Sequence, residues 1–231
     1  MSKFLKAGFS IFVLTLIFNG FAVTETKAQG ILNEILKRMD SHYKLLRSLK
    51  ADIKRVKTDT TLGESDEYMG NLVLLPGKGR NFSVRLDWNK PKEEKLSIVN
   101  GQYVAYVPSI KRAYTGSSSS AKASEKGGNV LKIMSMSKEE LKANYDIQYI
   151  GQEQVTGAIQ TWHLKLTPKT KASYKFAELW VDGNGMPIQA KVVGLNNDTD
   201  EVLISNLQKN VSIDGSIFSI NLPKGTELVK G

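Results

Sequence analysis

The sequence predicts a mainly β protein with some α: a curved antiparallel sheet, preceded by one helix and interrupted midway by a second. Three observations predict it. From Leu49 onward, apolar and polar residues alternate in short runs separated by turn residues. Helical spacing is confined to residues 30–48 and 129–145. Nowhere does a helix alternate regularly with a strand, as a parallel sheet requires.

Residues 1–28 read as a secretory signal peptide. Lys3 and Lys6 give a basic start, "IFVLTLIFNGFAV" an apolar middle, and Thr26 and Ala28 a small-residue site before Gln29. The apolar run, broken by Asn19 and Gly20, is shorter than the roughly 20 residues of a membrane span. The remaining 203 residues suffice for one domain with its own core. The chain has no cysteine, so it forms no disulfide, is not acylated on an N-terminal cysteine, and depends on core burial for stability. Losing Lys3, Lys6, Lys27 and Glu25 takes the net charge from +9 to +7. Such a surface suits anionic headgroups or an acidic partner, and equally a merely solvated exterior. No Lys/Arg-rich helix points to nucleic acid.

The first helix, "GILNEILKRMDSHYKLLRS", carries Ile31, Leu32, Ile35, Leu36, Met39, Tyr43 and Leu46 on one face. Period-two runs follow: "EYMGNLVLLPG", "RNFSVRLDW", "KLSIVNGQYVAYV", "YDIQYIGQEQV", "IQTWHLKLTP", "YKFAELWVDGNGMPIQAKVVG" and "DEVLISNLQKNVSI". Asn100-Gly101 marks a tight hairpin, because both central residues of its turn need positive φ. "DGNG" at 182–185 and "NNDTD" at 196–200 mark two more. A polar loop, "GSSSSAKASEKGG", leads into the midway helix, where Ser137 and Glu140 have the spacing of a capping box.

Catalytic groupings are lacking. His42 reads as an exposed helix residue, and His163 points to the face opposite Trp162 and Leu164. No nucleophile motif accompanies either, and two distant histidines make a poor metal site. "PGKGR" at 76–80 lacks phosphate-loop spacing, and Glu93-Glu94 and Asp198/Asp200 read as solvated loop acids. No cofactor is implied.

What the strands do carry is apolar residues on both registers. Tyr68, Leu72 and Leu74 alternate with Met69, Val73 and Leu75, and Phe176 and Trp180 with Leu179 and Val181. Both faces are therefore sheltered, as when a sheet curls round an interior. That interior is either a filled core or a cavity. Met134 and Met136, thioethers that accept varied apolar shapes, favour a cavity, and the serine-rich loop suits a movable lid.

This arrangement resembles the LolA family of periplasmic outer-membrane lipoprotein carriers, through "YMGNLVLLP", "VRLDWNKP", "LSIVNGQYVAYVPSIKRA", "LTPK", "ELWVDGNGMPIQAKVV" and "FSINLPKGTELV". The resemblance spans nearly the whole chain after residue 28. It implies an incomplete β-barrel, covered by the N-terminal helix and a midway lid helix around an apolar cavity for acyl chains. It also implies a monomer without covalent chemistry, loaded by an inner-membrane lipoprotein-releasing transporter and unloaded to an outer-membrane acceptor. The candidate cavity or lid residues are Leu72, Leu74, Val84, Leu86, Trp88, Ile133, Met134, Met136, Trp162, Phe176 and Trp180. Lys78, Arg80, Lys111 and Arg112 are candidates for partner or headgroup contact, the last two near the cavity mouth. One departure concerns the basic residue that precedes the proline of the second strand in the family and helps hold the lid. Leu75 stands there before Pro76, so that latch does not carry over. A regulatory module sensing lipids or lipoproteins, a carrier of another envelope lipid and an envelope hydrolase are the competing readings.

Overall fold

In a computed structural model, residues 21–77, 82–118, 129–155 and 159–230 are described. Helix α1 (Phe21–Leu45) leads into β1 (Leu49–Asp59), β2 (Glu64–Pro76), β3 (Phe82–Lys90), β4 (Glu94–Val99), β5 (Gln102–Val107) and β6 (Arg112–Ser117). Two short helices follow, α2 (Asn129–Ser135) and α3 (Lys138–Asn144). The chain then forms β7 (Tyr145–Val155), β8 (Ile159–Pro168), β9 (Tyr174–Asp182), β10 (Pro187–Gly194), β11 (Thr199–Lys209) and β12 (Glu227–Lys230). The expected signal peptide lies mostly outside the described residues; its final stretch, 21–28, is helical and continuous with α1.

The strands form one sheet in the order β12-β6-β5-β4-β3-β2-β1-β11-β10-β9-β8-β7. It is curved but not closed, ending at β7 and β12. Two antiparallel meanders, β1 to β6 and β7 to β11, meet where β1 pairs with β11, Ile53 opposite Ile204. The expected hairpins form. Asn100 and Gly101 have φ of 50° and 75°, and Asn197 has 72°. Bulges at Lys50/Asp52, Met69/Gly70 and Tyr149/Gly151 add local twist and so curvature. Gly70 is required at its bulge: a Cβ there would lie 2.2 Å from the Asp87 carbonyl oxygen.

One strand departs from the expected antiparallel pattern. β12 pairs parallel to β6, Leu228 opposite Ala113. To reach that edge, the segment after β11 leaves the Ser48 region, where the Asn210 N–H donates to the Ser48 carbonyl at 2.9 Å. It then crosses the outer face of β3 and β4. Phe218 is buried there, its carbonyl accepting from the Ser97 hydroxyl, and Arg85 Nη1 donates to the Ser219 carbonyl at 3.4 Å. A long crossing, unlike a hairpin, allows parallel pairing. It also explains why the outer face of this half is sheltered.

Helices cover the inner face. The apolar stripe of α1 supplies Leu32, Ile35, Leu36 and Met39 to the core. Its docking depends on the β9–β10 turn. Gly185, at φ 86°, would place a Cβ 2.3 Å from the Arg38 carbonyl, and Arg38 Nη1 donates to the Gly183 carbonyl at 3.0 Å. A side chain there would push the helix off the turn. α2 packs over β10 and β11, and α3 against α1 and β7. The break between α2 and α3 is set by the capping box: the Glu140 N–H donates to Ser137 Oγ at 2.8 Å, and the Ser137 N–H to Glu140 Oε2 at 2.7 Å. Together these satisfy two otherwise unpaired N–H groups at the helix start.

Candidate ligand cavity

Under α1 and α2 the inner face encloses a cavity of about 390 Å³, within the range of small-molecule sites, roughly 300–1,000 Å³. α1 contributes Met39, His42, Tyr43 and Leu46; the sheet contributes Leu49, Leu72, Leu74, Phe82, Val84, Leu96, Ile98 and Ile204. Met186 and Pro187 enter from the β9–β10 turn. Leu131, Lys132, Met134, Ser135 and Met136 come from α2 and the residue after it. Four of the six methionines of the chain thus face one space. Unbranched thioethers adapt to more than one apolar shape, so this wall can conform to a flexible chain.

The candidate residues divide by strand and face. Leu72, Leu74, Val84, Met134 and Met136 line the cavity together. Leu86 and Ile133 are fully buried behind it, in the core. Trp88 lies farther along the inner face, edge-on to Tyr68 at 5.8 Å. Trp162 is also on the inner side, with the Arg38 guanidinium 5.3 Å from its ring centre. Phe176 and Trp180 project the other way, from the strand register opposite the core residues Ala177, Leu179 and Val181. Lys165 sits 4.3 Å over Phe176. Trp180 stacks on His163 at 4.3 Å and donates its indole N–H to Glu153 Oε2 at 2.8 Å. That hydrogen bond, with support from His163, holds the Glu153 carboxyl below its ordinary range. Glu153 and Glu178 approach opposite edges of the His163 ring, so the three do not converge on one ion.

Other sequence expectations change. His42 is half-buried and lines the cavity, not exposed. Burial lowers its imidazole pKa, Lys209 lowers it further and Asp182 opposes them; its buried Nε2 has no hydrogen-bond partner. Lys111 and Arg112 are not at the mouth. Gly101, before β5, lines the cavity, whereas Lys111 lies beyond the other end of that strand, about 20 Å away at strand rise. Arg112 is bound to Glu227, Nη2 to Oε2 at 2.7 Å, which ties down β12 and raises the guanidinium pKa. Lys78 and Arg80 lie outside the described residues. Asp198 and Asp200 are structural: Asp198 accepts the Thr60 N–H at 3.0 Å, and Asp200 takes Arg55 in two bonds of 2.7 and 2.6 Å.

Arg55, only 4% exposed, also marks where the inner face changes character. Beyond it, at the β1–β2 tip, a second hollow of about 480 Å³ is lined by Lys57, Asp59, Glu64, Asp66, Asp198 and Asp200.

The family model described as outer membrane lipoprotein carrier protein LolA matches residues 45–221. No curated protein matches the chain in sequence. Among solved structures, an uncharacterized conserved protein from Thermus thermophilus aligns with TM-score 0.56 and 12% identity, over 87% of this chain and 99% of that one. The Pseudomonas aeruginosa MucA/MucB complex aligns with TM-score 0.51 and 14% identity, over 81% of this chain and 60% of that one. At such identities these likenesses speak for the fold alone.

Proposed function

The chain belongs to the LolA family of outer membrane lipoprotein carrier proteins, and on that premise we propose that it is a periplasmic carrier whose cavity takes up the acyl chains of lipoproteins for transfer from inner to outer membrane. The observation that carries this reading is the methionine-rich apolar cavity under α1 and α2. Burial of each CH₂ contributes about 0.8 kcal/mol, so an acyl segment of about ten methylenes gains roughly 8 kcal/mol before the costs of ordering. That is enough to hold a lipid and little enough to release it. Carriage needs no covalent step, and the described residues around the cavity are mostly apolar side chains suited to binding.

Loading and release require the cover to yield. α2 is the element suited to this, since it is short and closes the cavity with flexible side chains. With Leu75 before Pro76 no charged latch is carried over, and the cover meets the cavity through the apolar side chains of Met134 and Met136. An inner-membrane releasing transporter and an outer-membrane acceptor complete the proposed cycle.

Native mass spectrometry with lipid extraction, on protein exported to and recovered from the periplasm, tests the proposal. An acylated protein bound at unit stoichiometry is the expected result. A free lipid would make it a carrier of another envelope lipid. A chain that is empty and takes up no acyl dye or added lipoprotein would overturn carriage. The likeness to MucB, crystallised with MucA, would then favour a regulatory module that binds a partner protein.

A further inference from the structure

The cavity is apolar, but its ionisable lining is one-sided. None of the described residues lining it is an aspartate or glutamate. Its ionisable groups are Lys132, His42 and Tyr43. Carboxylates are not scarce on this face: five of them, Asp59, Glu64, Asp66, Asp198 and Asp200, surround the hollow at the far end of the same strands. The two ends are separated by eight residues of β1, Leu49 to Lys57, about 26 Å at strand rise. That is more than two Debye lengths at physiological salt, so the acidic end does not set the potential at the cavity.

Within the cavity the positive charge has a definite place. Lys132 is exposed on α2 and lines the cavity one turn from Met136 and beside Leu131, a placement from which a lysine can lay its stem on apolar surface and keep its ammonium in water. Ser135, Ser118 and Gly101 share the lining with it. The Ser135 hydroxyl donates to the Lys132 carbonyl at 2.9 Å, which holds this turn of the helix in place. His42 faces a different balance. There Lys209 and Asp182, 3.8 Å apart, act on the imidazole with opposite signs, and neither lines the cavity, so among the described lining residues Lys132 is the only lysine or arginine.

We propose that the cavity prefers amphiphiles with an anionic head, a carboxylate or phosphate, over neutral ones, with the head at Lys132 and the tail directed inward to Leu72 and Ile204. This rests on the reading of the cavity as an acyl site and specifies the head that the site selects. A carboxylate head is found on a free fatty acid and a phosphate on a phospholipid; either is met at Lys132 by the same charge-assisted contact.

Fluorescence titration of the full chain with a pyrene-labelled long-chain fatty acid, its methyl ester, and a lysophosphatidic acid bearing the same tail tests the proposal and its source. The fatty acid is expected to bind about fivefold more tightly than the ester at low salt, the size of one exposed ion contact. The preference should shrink with added salt and fall to near unity in Lys132→Gln, while Lys191→Gln, an equal charge change on the outer face, keeps it. A lysophosphatidic acid that outcompetes the fatty acid would identify phosphate as the preferred head. Equal binding of acid and ester to the unaltered chain, or a preference that survives Lys132→Gln, would overturn the inference and leave the acyl site standing. Failure of all three ligands to bind would count against the acyl site itself.

Discussion

The two ends of the inner face are built on the same strands and do opposite things. On β1 the inward residues run Leu49, Ala51, Ile53, then Arg55, Lys57 and Asp59. On β2 they run Leu74 and Leu72, then Tyr68, Asp66 and Glu64. The change falls between the cavity, which α1 and α2 help to line, and the hollow at the strand tips, which they do not. Under α1 and α2 a charge would have no water and no partner, so the strands present leucine and isoleucine. Beyond Arg55 the hollow is lined by carboxylates, whose mutual repulsion is offset by Lys57 and by the two bonds from Arg55 to Asp200. A sheet of uniform alternation therefore carries two environments, and the covering helices decide where one stops. Arg55 holds the border, bound to Asp200 by two bonds and lying 5.8 Å from the Tyr68 ring centre.

Breaking the border should have the largest effect. Arg55→Ala leaves Asp200 without its buried partner and is expected to cost about 3 kcal/mol, by comparison with other buried pairs broken on one side. Urea denaturation measures it, and a loss below about 1 kcal/mol would show that the two ends do not depend on this pair. Gly185→Ala, which forces a Cβ into the Arg38 backbone at positive φ, should cost about 2 kcal/mol. It should also loosen α1, read as faster amide exchange in the helix than in β3 and β4. Met134→Asp should leave the fold intact by circular dichroism and weaken acyl-dye uptake about tenfold, since a carboxylate in that wall is desolvated whenever a tail is bound. Unchanged uptake would remove Met134 from the site.

The smallest effect concerns pH. The imidazole of His42 has its pKa lowered in the fold from 6.5, chiefly by burial. The unfolded chain therefore binds this proton more readily, and the stability associated with neutral His42 is fully present above pH 6.5. It is lost as pH falls through the lowered value. Glu153, Asp198 and Asp214 have pKa values lowered from 4.5 or 3.8, so their losses come at more acid pH. Thermal melts from pH 7.5 downward should show an early decline that His42→Gln flattens. An identical decline in both proteins would place the effect elsewhere.

Much of this was legible in the residues. Period-two runs gave the strands, Asn100-Gly101 and "DGNG" their turns, and Ser137 with Glu140 the start of a helix. Leu72, Leu74 and Val84 could be placed near the cavity because the strands carrying them pair directly, Leu74 opposite Val84. Phe176 and Trp180 were misplaced for one reason. Alternation fixes which residues share a face, but not which face is inside. In "FAELWV" both registers are apolar, so the larger Phe176 and Trp180 stood as candidates, while the inner register is the smaller Ala177 and Leu179. Trp180 tolerates the outer face because Glu153 takes its N–H and His163 covers its ring. The error over Lys111 and Arg112 has a different origin. The position of the mouth depends on how α1 and α2 lie across the strands, and no local pattern in "PSIKRA" records that. β12 left no signal either, since four residues pairing parallel to a distant strand have no hairpin partner to announce them.

The seam between β1 and β11 joins residues such as Arg55 and Asp200, 145 positions apart. Its consequence is temporal. Neither meander can obtain its central neighbour until nearly the whole chain is available, and closing so long a loop delays the contacts that reward it. A polypeptide emerging residue by residue would hold an unfinished edge at β1 until β11 arrived, and the clasp at β6 would come later still. The seam is thus the last large piece of the sheet to become possible, and the two meanders must wait for each other.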